Sequence, residues 1–105
     1  MEYSIKLADQ FLEEFEEICD YISNKLKNID ASNRLRKKVI DNVLLLENSP
    51  KMYTKIEKTD RTERQYRRMV VNNYVILYTI DDLEKIVYVV HIYYSKRNYL
   101  DSGEL

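Results

Sequence analysis

The 105-residue sequence contains one glycine, one proline, one cysteine, one histidine and no tryptophan. So little glycine and proline leaves few positions for linkers or irregular chain, which predicts regular elements joined by short turns in a single domain, 1–105. A lone cysteine excludes an internal disulfide. Cys19 falls on the apolar side of a helical pattern, where a small buried hydrophobe is the expected reading. With one Cys and one His there is no metal-ligating spacing, no Cys/His nucleophile arrangement and no Ser/His/Asp elbow, and no glycine-rich phosphate loop is present. The sequence therefore calls for no cofactor or metal. No run approaches the ~20 apolar residues that cross a bilayer, and MEYSIKLAD does not read as a leader, so a cytoplasmic protein is expected, with no membrane partner.

What is abundant is tyrosine, with ten residues, and charge, at 33% of the chain. The net charge is −1 with an isoelectric point near 5.9. Charge is unevenly spread. Residues 1–50 carry ten acidic and seven basic side chains, whereas residues 51–105 carry eight and ten. Between Lys51 and Arg68, seven cations face only Glu57, Asp60 and Glu63. This patch lacks the long-range positive field of a general nucleic-acid binder.

Hydrophobic spacing orders the elements. Tyr3, Ile5 and Leu7 alternate with Ser4 and Lys6, predicting a strand with one dry face. Phe11, Leu12, Phe15, Ile18, Cys19, Ile22 and Leu26 recur every three or four residues, predicting a helix from Asp9 to about Lys27 with Asp9 as its N-cap. A second helix follows, with Asp30 as cap and Leu35, Val39, Ile40, Val43, Leu44 and Leu46 on its apolar side, until Asn48-Ser49-Pro50 stops it. A short link between two long helices makes an antiparallel hairpin, which needs a further surface to bury its stripe. A short extended piece at Met52 to Ile56 and strands at Gln65 to Val71, Tyr74 to Ile80 and Lys85 to Tyr94 supply it. Asn72-Asn73 and Asp81-Asp82 form the turns between them. The expected fold is α+β: an N-terminal strand and a long helical hairpin packed on a three- to four-stranded antiparallel sheet. Alternation groups Ile76, Tyr78 and Ile80 on one side, and puts Ile86, Tyr88, Val90 and Ile92 together in a row of the last strand.

Three groups of residues invite a functional reading. His91, mid-strand, is either satisfied by a neighbouring polar group or acts as a general acid or base. Arg64, Arg67 and Arg68 either snorkel from a solvated loop or pair with phosphates or an acidic protein. Being adjacent, Arg67 and Arg68 point to opposite faces, so only one of them serves a given face. Tyr93, Tyr94, Lys96, Arg97 and Tyr99 interleave aromatics with cations, either as the wet end of a strand or as a surface that stacks on bases or on partner side chains.

The order of elements and several stretches resemble the RelE/ParE superfamily of toxins from type II toxin–antitoxin modules. The resemblance covers nearly the whole chain: YSIKLA, the hairpin ending in LLLENSPKM, RMVVNNYVILYTID from Arg68 to Asp81, and KIVYVVHIYYSKRNY. It implies a toxin causing growth arrest and restrained by a cognate antitoxin lying along it. RelE-like members cut messenger RNA at the ribosome, using basic residues and a tyrosine or histidine. ParE-like members poison DNA gyrase. RelE carries a catalytic arginine directly after the tyrosine that opens the middle strand, whereas here Tyr74 is followed by Val75. Arg97 falls where a second functional arginine lies, with Lys96 beside it, while Lys55 and Lys58 stand near the positions of lysines on an earlier strand. Tyr99 comes too early to match the tyrosine of the final segment. The long hairpin is similar to that of ParE-type toxins, and the acidic isoelectric point argues against docking among ribosomal RNA.

The resulting expectation is a ParE-like gyrase inhibitor. Its alternative is a metal-independent, ribosome-dependent endoribonuclease using Arg67, His91, Tyr94 and Arg97, and a further one is a non-toxic binding module of the same fold. Target or antitoxin contacts fall to Arg64, Arg67, Arg68, Lys96, Arg97 and Tyr99. A homodimer and a toxin–antitoxin hetero-oligomer both remain compatible with the sequence.

Overall fold

A computed structural model describes residues 2–56 and 65–95. Strand β1 (Ser4–Leu7) leads into helix α1 (Asp9–Asp20), whose last turn passes into a π-helical turn, Tyr21–Lys25. Helix α2 (Ile29–Leu44) ends in a 3-10 turn, Leu45–Glu47, and strands β2 (Thr54–Lys55), β3 (Tyr66–Val71), β4 (Tyr74–Asp81) and β5 (Ile86–Tyr94) follow. The strands form one five-stranded sheet in the order β1-β5-β4-β3-β2. All neighbours are antiparallel except β1, which runs parallel to β5. The sheet is thus mixed and one strand wider than expected. A parallel neighbour follows from the chain returning to β5 only after the hairpin and the meander have been built.

Both helix caps sit one or two residues ahead of the carboxylates expected there. Ala8 is the first N-cap and makes no side-chain cap bond, leaving Asp9 as the first helical residue, where its charge still favours the helix dipole. At α2 the cap is Asn28, whose Oδ1 accepts the Ala31 N–H at 3.0 Å. An uncharged amide does here what Asp30 was expected to do.

The core lies between the hairpin and one face of the sheet. Phe11, Phe15 and Cys19 of α1 and Leu35, Val39 and Val43 of α2 pack with Met69, Val71, Ile76, Tyr78, Val87, Val89 and Ile92. Each such side chain contributes roughly 1.5–3 kcal/mol by leaving water. The apolar row of β5 departs from simple alternation, since Val87, Val89 and Ile92 are buried rather than Ile86, Tyr88, Val90 and Ile92. A bulge is the cause: Leu77 pairs with His91 but Tyr78 with Val89, so Val90 is an extra residue that changes the phase of the strand. The turn between β3 and β4 holds Asn72 at φ 56, a conformation that asparagine tolerates. After β4, Asp81 Oδ1 accepts the Glu84 N–H at 3.0 Å and stabilises the second turn.

Candidate interaction face of the sheet

Register places side chains on the face turned away from the hairpin. One cross-strand row runs Thr54, Arg68, Leu77 and ends at His91. The next runs Tyr66, Thr79, Tyr88, Lys6, and on the other side lies Val70, Val75, Tyr93. Arg68, Val70 and Lys6 are exposed, and Tyr66, Leu77, Tyr88 and Tyr93 are half-buried. The result is an amphipathic floor of tyrosines with cations standing on it, suited to a polar partner surface that brings carboxylates or other acceptors. Thr79, 4% exposed, spends its hydroxyl on the Gln65 carbonyl at 3.0 Å, which fixes the start of β3 beneath this floor.

Arg67 goes the other way. Its guanidinium donates to the carbonyls of Lys51, at 3.2 Å, and Tyr53, at 2.8 Å, holding the segment that enters β2. On the same side Tyr78, fully buried, donates its hydroxyl to the Pro50 carbonyl at 2.6 Å, and burial pushes that phenol up to about 12. Beyond these, Lys51 pairs with Asp82 at 3.1 Å, and the Tyr3 hydroxyl donates to Asp82 at 2.7 Å. The Tyr3 hydrogen bond, with help from Lys51, holds the Asp82 carboxyl below its usual range.

His91 lies at the part of the β5 edge that β1 does not cover. Glu14 of α1 reaches there, 3.2 Å from His91 Nδ1, and accepts the backbone N–H of Ile92 at 2.9 Å. Its carboxylate thereby stands in for a neighbouring strand. Tyr94 is on the hairpin side, its ring 5.5 Å from that of Tyr74, above a groove walled by Glu14, Glu17, Ile18 and Tyr21. Cys19 is buried, and desolvation pushes its thiol up, so it is an inert core residue.

Of the residues singled out from sequence, Arg68 and His91 thus share one row, flanking Leu77 at about two strand spacings, ~10 Å apart. Arg67 and Tyr94 do not join them. Arg64, Lys58, Lys96, Arg97 and Tyr99 lie outside the described residues. Sequence reasoning missed Tyr66, Tyr88 and Lys6 as members of the open face. Tyr66 was accessible through its alternation with Arg68, but Tyr88 was hidden by the bulge and Lys6 by the parallel pairing of β1. Among the described residues no group of His, Cys, Asp and Glu is placed to hold a metal ion, and no helix is long and apolar enough to cross a membrane.

The helical hairpin packed on one face of a sheet is a fold shared with solved RelE and ParDE structures. The chain resembles a chain of the chromosomal ParDE toxin–antitoxin system from P. aeruginosa (TM-score 0.71, 10% identity, 89% of this chain and 96% of that one). It also resembles the archaeal RelE–RelB complex from Pyrococcus horikoshii (0.64, 16% identity, 92% and 99%) and the isolated E. coli RelE toxin (0.58, 16%, 95% and 92%). No curated protein matches the sequence. The model of the ParE toxin of the type II toxin–antitoxin system parDE matches residues 5–99, and the chain belongs to that family. It is a toxin of a type II toxin–antitoxin module.

Proposed function

We propose that this toxin arrests growth in the ParE manner, contacting DNA gyrase in the cytoplasm through the open face of its sheet, and that a cognate antitoxin restrains it. Antitoxin complexes among the similar structures support the second half of this reading. The observation that carries the first half is that Arg67, one of the candidates for nuclease chemistry, is already committed to the backbone. Its guanidinium donates to the carbonyls of Lys51 and Tyr53, and His91, beside Glu14, stands ~10 Å from Arg68 across Leu77. The residue after Tyr74, where RelE has an arginine, is Val75, 3% exposed. A surface of tyrosines with Arg68 above them recognises; it carries no described pair of groups arranged to move a proton from a ribose hydroxyl. Arg68 is the best-placed contact, with Arg64, Lys96, Arg97 and Tyr99 as further contacts of target or antitoxin.

Induced expression should give DNA breaks and filamentous cells while bulk messenger RNA survives. Rapid loss of translated transcripts, abolished by Arg97→Ala, would establish the endoribonuclease instead, and absence of toxicity would mean a binding module. With purified gyrase, Arg68→Glu should weaken inhibition of supercoiling at least ~10-fold, about 1.4 kcal/mol. Its melting temperature should stay near that of the parent, because the side chain is exposed.

A further inference from the structure

The apolar stripe of the hairpin is wider than the sheet can cover. Leu12, Ile40 and Leu44 belong to the stripe by spacing, yet they remain 42%, 37% and 48% exposed. Two contacts fix the antiparallel register of the helices: Arg36 to Glu16 at 2.7 Å, and the Ser32 hydroxyl to the Cys19 carbonyl at 2.9 Å. That register sets Leu12 opposite Ile40 and Ala8 opposite Leu44. The exposed side chains therefore form one patch spanning both helices, next to the Glu16–Arg36 pair. A contiguous apolar patch with a charged rim is a docking feature rather than scattered surface leucines.

The charge of the rim identifies the occupant. By helical spacing, the side of α1 that holds Leu12 carries Asp9, Glu13, Glu16 and Asp20 and no cation, while Glu14 and Glu17 turn toward β5 and Tyr94; the side of α2 that holds Ile40 carries Arg36 and Lys37, the latter paired with Asp41. One rod is acidic and the other basic, so the face is complementary to itself.

We infer that a second copy of this chain covers the patch, two hairpins packing face to face about a twofold axis parallel to their helices. That axis lays α1 of each copy antiparallel on α2 of the other. Leu12 then meets Ile40, and Glu16 faces Arg36, between copies as within them. The four helices become a bundle in which each pairs antiparallel with its neighbours. A twofold across the helices would instead put the carboxylates of α1 against those of the other α1, so charge selects the first arrangement. The footprint, ~18 Å of helix by two helix widths of ~10 Å, is less than half the ~800 Å² per partner of a standard interface, so the dimer is weak and salt-sensitive. It leaves the open face of the sheet free and does not depend on the target proposed above.

Sedimentation velocity of the full chain tests this. The dimer fraction should rise from ~10 µM to ~500 µM protein at low salt and fall at ~0.5 M salt. Ile40→Glu and Leu12→Glu should each weaken association at least ~10-fold with unchanged helical circular dichroism. Glu16→Arg should weaken it too, and Glu16→Arg with Arg36→Glu should restore it. A monomer at every concentration would overturn the inference. So would a dimer that Ile40→Glu and Leu12→Glu leave intact, or a double exchange no better than Glu16→Arg alone.

Discussion

Tyr78 has no accessible surface, yet its hydroxyl and the Arg67 guanidinium together hold the carbonyls of Pro50, Lys51 and Tyr53. Two side chains at one end of the sheet thus position the segment that leads from the hairpin to the edge strand. Arg67 is in consequence a structural residue, and its neighbour Arg68 is the one whose side chain stays exposed on the open face. Alternation along the strand tells that the two diverge; only the carbonyls waiting on the hairpin side tell which goes where. Tyr78→Phe removes the donor and leaves the Pro50 carbonyl buried without its bond, so chemical denaturation should show a loss of about 1–3 kcal/mol. The same variant should lose the latest of the tyrosine titrations seen by phenolate absorbance, the one near 12. An unchanged alkaline titration would show that another tyrosine is the late one.

At the scale of elements, β5 departs from the periodic reading because one inserted residue changes which side chains face the core. Val90 is the surplus, and beyond it Ile92 rejoins the buried row that Val87 and Val89 began. Deleting Val90 should therefore remove the bulge and keep all three in the core, at a cost below ~2 kcal/mol. Deleting Val70 of β3, which pairs with β4 without a bulge, shifts the register with nothing to absorb it, turns the buried Met69 outward, and should cost more than ~4 kcal/mol or unfold the chain. Urea melts of the two variants distinguish these outcomes, and equal losses would count against the bulge. The bulge coincides with the end of cover by β1, where Glu14 satisfies the Ile92 N–H. Neither contact is local in sequence: Glu14 is 78 residues from Ile92.

For the molecule as a whole, ionisable groups tie distant parts together and set limits at both ends of the pH scale. Asp82 links Tyr3, ahead of β1, with Lys51, and Glu16 links the helices through Arg36. The hydrogen bonds from Tyr3 and Lys51 depress the carboxyl of Asp82, and the bond from Arg36 depresses that of Glu16. Folded values below the unfolded ones mean that this stabilisation is whole above about pH 4 and fades as pH falls through the folded values. Tyr78 works in the opposite sense. Its folded value, about 12, lies above the unfolded one, so its contribution is whole below about pH 10 and is lost as pH rises toward 12. The melting temperature should accordingly form a plateau that falls on both sides. Asp82→Asn should flatten the acid limb and Tyr78→Phe the alkaline one; a limb unchanged by its substitution would refute that assignment.

By itself the sequence determined the class of fold. Apolar spacing of three to four made the helices, alternation made the strands, and Asn72-Asn73 and Pro50 marked the boundaries, all of which are interactions among near neighbours. It also determined that Cys19 would be buried and that Arg67 and Arg68 would part. The parallel pairing of β1, the phase of β5, the engagement of His91 by Glu14 and the exposure of Leu12 and Ile40 were decided only by tertiary structure. Each of these depends on which backbone donors and how much apolar surface remain uncovered once the hairpin has met the sheet, and no local pattern records that balance.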